Sequence, residues 1–148
     1  MITARMKRSK KVELKLPVGP SRVHVGFPAG KVSSDIVNRA VWNHYGTRGG
    51  GWGGPIPPRP FLLNAMRSNK DKYRDALKAS AAKILTGEVT FEATLNKLGI
   101  LAQGDVQQEI TDLRDPPNSE VTIARKGSSN PLIDTGQMRQ SVTWEIKE

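Results

Sequence analysis

The sequence predicts an α+β domain, in which a small, mostly antiparallel sheet is packed by several helices. Three observations carry this. Apolar residues alternate with polar ones twice near the N-terminus and once at the C-terminus, as half-buried strands require. Between them, from Ile36 to Leu113, apolar residues recur three or four apart, the spacing of amphipathic helices. A segment from Tyr45 to Ala65 breaks both patterns and holds six of the 14 glycines and four of the 10 prolines.

Residues 1–10 read as a basic, flexible N-terminal arm, and 11–148 as one domain with an extended loop over 46–60. Val12, Leu14 and Leu16 alternate over 11–16, and Val23, Val25 and Phe27 over 22–27, with Pro17-Val18-Gly19-Pro20 between them. Strand, short turn and strand predict an N-terminal hairpin. Ser33 or Ser34 is placed to cap a helix, along which Ile36, Val37, Ala40, Val41 and Tyr45 form the inward stripe, with Gly46 as its C-terminal stop.

The loop that follows divides in two. Gly46 to Gly54 has no periodicity, so it is neither helix nor strand. Pro55 to Phe61 is stiff, because proline fixes φ, and Pro60 suits the first turn of a helix with Phe61, Leu62, Ala65 and Met66 inward. A further helix spans Lys70 to Leu85, with Tyr73, Ala76, Leu77, Ala81, Ile84 and Leu85 on its apolar side. Thr90 caps the next, over 90–114, where Gly99 and Gly104 each cost roughly 1 kcal/mol relative to alanine and predict a kink or break. Residues 118–131 read as an exposed loop. Asp134 and Gln137 suit a capping box around a short helical turn, and Val142, Trp144 and Ile146 alternate along a last strand.

The chain has 148 residues, which fits one domain, and its hydrophobic content of 36% is lean. A lean chain with a long polar loop is expected to complete its burial against another subunit. Without cysteine, disulfides, thiol chemistry and a Cys-based zinc site are excluded. The two histidines, His24 and His44, lack metal-ligand spacing, so no metal and no cofactor is expected. No apolar run approaches the ~18 residues of a membrane helix, and the N-terminus lacks the apolar region of a signal peptide. A formal net charge of +9 points to a polyanionic neighbour. Arg5, Lys7, Arg8, Lys10 and Lys11 are its N-terminal focus and the candidate DNA-channel residues.

Catalytic motifs are weak. Asp134-Thr135-Gly136 matches the aspartic-protease triplet in letters but lacks the apolar strand that leads into it. Gly49-Gly50-Gly51-Trp52-Gly53-Gly54 lacks the Gly-Lys-Ser/Thr ending of a phosphate loop. His44 lies at a helix C-terminus, where a cation is favoured, and Asp105, Glu109 and Asp112 read as a solvated helix face. The chain is therefore expected not to be an enzyme. Trp52, alone among glycines, suits an anchor in a subunit interface. The candidate interface residues are Trp52, Ile56, Arg59 and Trp144.

Three phrases together resemble the minor tail, tail-completion and head–tail joining proteins of tailed phages and prophages, grouped with the HK97 gp10-like family. The first is Val25-Gly26-Phe27 followed by a helix ending Trp42-Asn43-His44-Tyr45-Gly46-Thr47. The second is Ile56-Pro57-Pro58-Arg59-Pro60-Phe61. The third is Thr122 to Gly127 with Pro131-Leu132-Ile133-Asp134-Thr135-Gly136-Gln137-Met138 and Ser141. His44 stands where the family has a glutamate, and the glycine loop is longer than in many members. The resemblance implies a structural virion protein, assembled in the host cytoplasm, that forms a homo-oligomeric ring, a hexamer, at the head–tail junction or the top of the tail. It implies other connector, tail-terminator or tail-tube proteins as partners and non-specific contact with phage DNA, without a membrane. The alternative from charge alone is a nucleic-acid-binding regulator using the N-terminal arm.

Overall fold

A computed structural model describes residues 13–14, 16–50 and 53–148. The candidates Arg5, Lys7, Arg8, Lys10, Lys11 and Trp52 lie outside the described residues, as do Val12 and Lys15 of the first expected strand. The architecture is α+β, with six helices and a two-stranded antiparallel sheet among the described residues.

Strand β1 (Arg22–Gly26) pairs with β2 (Thr143–Lys147), Arg22 opposite Lys147 and Gly26 opposite Thr143. The first strand is thus closed by the last, as expected. The N-terminal hairpin is not formed by the described part of its other arm: Glu13, Leu14 and Leu16 carry no ladder and are exposed. Pro17 and Pro20 offer no backbone donor to a returning strand.

Helix α1 (Ser34–Tyr45) is followed, after the Gly/Pro segment, by α2 (Phe61–Ser68), α3 (Lys70–Thr86) and α4 (Phe91–Asp112). Thr90 caps α4 as expected, its Oγ1 accepting the Ala93 N–H at 3.1 Å. Helix α4 is the pillar of the domain, touching β1, β2, α2 and α3. Its buried residues Leu95, Gly99, Ala102, Val106 and Ile110 follow one another at three- and four-residue steps along one face. Val106 and Ile110 meet Ala40 of α1, Phe61 and Ala65 of α2, and Leu132, Met138 and Val142 from the C-terminal part in one core.

Two glycines were expected to interrupt α4, yet the helix runs unbroken through both. At Gly99 a Cβ would lie 2.6 Å from the Trp144 ring, so the missing side chain is what lets β2 approach. Trp144 therefore sits half-buried across α4. Helix α3 has no fully buried residue, and Ala81, expected inside, is exposed. It is tied to α4 by Asp105, which accepts from Tyr73 Oη at 2.8 Å and from Lys72 Nζ at 2.5 Å. Asp105 and Glu109, expected to face solvent, thus join helices: Glu109 accepts from Asn64 of α2 at 3.0 Å.

The stretch expected as an exposed loop contains α5 (Glu120–Lys126), capped by Ser119 Oγ, which accepts from Thr122 N at 3.4 Å. Its C-terminus stops at Gly127 in the left-handed conformation. The short turn α6 (Gln137–Gln140) follows Gly136, and the expected Asp134–Gln137 box is not made. Thr135 Oγ1 instead accepts the Gln137 N–H at 3.4 Å.

The two glycines of α4 predict opposite responses to alanine. Gly99→Ala forces a methyl into the Trp144 ring and should lower stability by about 1–3 kcal/mol. Gly104→Ala meets nothing within 4 Å and should raise it by about 0.5–1 kcal/mol. Urea unfolding of the two variants beside the parent checks both signs.

Candidate assembly surface

The stiff half of the Gly/Pro segment is fixed from inside. Arg59 is 3% exposed. Its backbone N–H donates to the Asn43 carbonyl in the last turn of α1 at 2.7 Å. Its Nε donates to the Pro116 carbonyl at 2.7 Å, and Nη2 to the Pro117 carbonyl at 2.9 Å and Asn118 Oδ1 at 3.4 Å. A buried charge is tolerated only when hydrogen-bonded, and planar guanidinium suits two neighbouring carbonyls. Expected at a subunit interface, Arg59 is instead turned inward, where it joins α1, the start of α2 and the segment after α4. It also sets up Phe61, which is fully buried and stacks edge-on against Phe27 at 6.2 Å and His44 at 5.5 Å.

Asn130 extends this frame. Its Nδ2 donates to the Thr111 carbonyl near the end of α4 at 3.0 Å, while its Oδ1 accepts from the Leu132 and Ile133 N–H groups at 3.1 and 3.2 Å. Lys126 Nζ donates to the Asn130 carbonyl at 2.8 Å. Burial pulls the Lys126 ammonium below its ordinary range, with Arg59 and Arg125 adding to the effect and Asp134 opposing it.

Between these parts lies an open cleft of about 510 Å³. Pro55, Ile56 and Pro57 form one wall, Thr122, Arg125 and Lys126 of α5 another, and Leu132 with Asp134 to Met138 the third. Ile56, an interface candidate, is a half-buried wall residue here. The cleft holds cations, hydroxyls and apolar side chains, a set suited to recognition. Among the described residues neither histidine hydrogen-bonds a hydroxyl or carboxylate that it could activate, and no His/Asp/Glu group could hold a metal. No helix there is long and apolar enough to cross a membrane.

The glycine half of the segment is more ordered than its composition suggests. Thr47 and Ile56 exchange backbone hydrogen bonds at 2.8 and 3.1 Å, and Gly50 and Gly53 do so at 3.0 and 3.1 Å. The chain thus leaves and returns as a narrow, exposed finger. Gly46 and Gly49 make this possible: both have positive φ, and a Cβ would lie 2.7 Å from the Ile56 carbonyl oxygen and 2.9 Å from Pro55 N respectively. The expectation that this stretch lacks strand-like pairing is corrected by these two bridges.

Helix α1 was expected to turn its whole apolar stripe inward. Ala40 is buried and Ile36 and Val37 are half-buried, but Val41, Trp42 and Tyr45 remain exposed. Beside them an apolar groove of about 210 Å³ is lined by Phe27, Val37, Val41, His44, Tyr45 and Leu62. His44 was expected to serve the helix C-terminus as a cation. Burial instead depresses its pKa, and its Nδ1 has no partner.

In comparisons with protein-family models, curated proteins and solved structures, nothing matches this chain.

Two outcomes follow from this geometry. Arg59→Ala leaves three carbonyl-side acceptors without their donor and should lower stability by about 2–4 kcal/mol. Arg59→Lys should recover only part of that, because an ammonium lacks the fork. Denaturant midpoints decide. For His44, a depressed folded pKa means that the unfolded chain binds the proton more readily. Stability should therefore fall as pH drops through the ordinary histidine value of about 6.5 and toward the folded value. His44→Gln should flatten that part of the profile in melting curves taken between neutral and mildly acidic pH.

Proposed function

We propose that this chain is a structural protein of a tailed-phage or prophage virion, acting in head–tail joining or tail completion as a ring-forming subunit around the DNA channel. One observation carries the reading. Two of the three phrases on which the resemblance rests, 56–61 and 122–138, are separated by some sixty residues yet line the same cleft and share the Arg59 and Asn130 frame. The first phrase, through Asn43, is tied to the same arginine. Motifs that build one frame together are the kind a family keeps together. Beyond that frame the chain presents a finger, an apolar helix face and a net charge of +9. These are features of a subunit that meets neighbours and tolerates DNA close by. DNA in such a channel is met through its phosphates, without sequence reading.

The partners of such a subunit are further copies of itself and adjoining connector, tail-terminator or tail-tube proteins. Its place is the virion, after assembly in the host cytoplasm. Electron microscopy of the purified protein or particle should show a ring at the junction. A second reading, a regulator that binds nucleic acid through the basic arm, is favoured only by charge. It requires DNA binding by the isolated chain that weakens steeply with salt.

Deletion of residues 48–54 removes the finger beyond the Thr47–Ile56 pair and leaves the Arg59 frame in place. The expected result is a folded protein that no longer supports tail joining, so that filled heads and separate tails accumulate. Normal virions from that deletion would rule out the finger as the joining element.

A further inference from the structure

We infer that the cleft between α5 and the Pro55–Pro57 wall binds a short acidic peptide segment of a different protein, one that carries apolar side chains beside its carboxylates. The inference does not depend on the assembly reading, because one chain supplies the whole cleft. The charge there is one-sided: Arg39, Arg59, Arg125 and Lys126 line it against Asp134 alone. Arg39 is paired with Asp35. Among the described residues the other three cations have no carboxylate within salt-bridge distance. Arg59 and Lys126 donate to uncharged oxygens, those of Pro116, Pro117, Asn118 and Asn130. Burial, with Arg59 and Arg125 close by, depresses the Lys126 ammonium in spite of Asp134. A carboxylate entering the cleft supplies the opposite charge that these groups lack.

The walls select among anions. Ile56, Leu132 and Met138 give the cleft an apolar side, and Thr122 and Gln137 add polar groups that suit a peptide backbone. Its volume of about 510 Å³ falls in the ordinary range of binding pockets. A nucleic-acid duplex presents its phosphates along a broad face and cannot enter a concavity of that size. A single strand needs aromatic platforms on which to stack its bases, and no aromatic side chain lines the cleft. Clustered arginines, by contrast, are a recurring means of holding acidic motifs, because each guanidinium offers paired N–H donors to a carboxylate. The counter-charge does not come from this chain's remaining residues: 1–12, 15, 51 and 52 include no Asp or Glu, and Arg5, Lys7, Arg8, Lys10 and Lys11 lie among them. A second copy is also disfavoured, since each copy carries a formal net charge of +9 and like charges repel. The occupant is therefore an acidic segment of another protein.

Fluorescence polarisation of the full chain tests this with a short labelled peptide of alternating glutamate and leucine. The peptide should bind, and added salt should weaken it. Replacing its glutamates by glutamine, or its leucines by serine, should each cost about tenfold or more in affinity. Arg125 is exposed, so Arg125→Glu should leave circular dichroism unchanged while weakening the peptide about tenfold. Arg125→Lys should recover part of that loss. Methyl-detected NMR gives the position: the peptide should shift the signals of Ile56, Leu132 and Met138. Changing Arg5, Lys7, Arg8, Lys10 and Lys11 to serine should leave those shifts in place. No binding at low salt overturns the inference. Binding that survives Arg125→Glu but is lost with the five serines also overturns it, since the peptide then lies on the N-terminal arm. An oligothymidine that binds more tightly than the peptide and shifts the same methyl signals overturns it in favour of a nucleic-acid ligand.

Discussion

The fold depends on one buried cation. Arg59 is enclosed with its guanidinium donating to the Pro116 and Pro117 carbonyls, and its backbone N–H donates to the Asn43 carbonyl. Removing a guanidinium from water is costly, so the arrangement holds only while all its partners stay in register. That demand fixes three things at once: where α1 ends, where α2 begins, and how the chain leaves α4. Phe61, two residues on, is seated in the core by the same constraint. The prolines around Arg59 help because they hold the chain extended into α2 and remove donors that would compete for the same carbonyls.

Against this fixed corner, α4 acts as the surface on which the rest is assembled. Its continuity is notable because glycine weakens a helix interior. At Gly99 the local cost is offset by tertiary packing: the Trp144 ring occupies the space a side chain would fill. The pairing of β2 with β1 then brings the two ends of the domain together over the same helix. A two-stranded sheet has little stability alone. It persists here because its apolar face is pressed on α4.

Helix positions were legible wherever an apolar stripe repeated, which is why α1 to α4 lie close to their expected ranges. The short helix α5 was not, because Val121, Thr122, Ile123 and Ala124 give no stripe and its stability comes from the Ser119 cap and Gly127 stop. Gly99 was misread because only its partner in space, forty-five residues away, explains it. Arg59 was misread for a similar reason: a charged residue in a proline run is exposed by default. The available signal was its position, between a run that cannot donate hydrogen bonds and an apolar run that must be buried. The cleft was partly legible, since its walls are the phrases 56–61 and 122–138, but their meeting depends on Asn130 and Arg59, which no local pattern reveals.

The residues that the fold leaves outside form a pattern of their own. The inward stripe of α1 is complete by helical spacing, yet only its first half meets the core. The strand pattern at 11–16 is regular by alternation, yet among the described residues Leu14 and Leu16 carry no ladder. Scattered apolar residues on a surface require no explanation. Here, however, the exposed residues are the unfinished ends of two regular patterns, each of which has the period and length of an element built for burial. A sequence that keeps such periods beyond the reach of its own core is consistent with burial between chains. Under the proposed assembly, the lean interior and the exposed half of the α1 stripe have one physical cause: apolar surface specified by the sequence is covered between subunits.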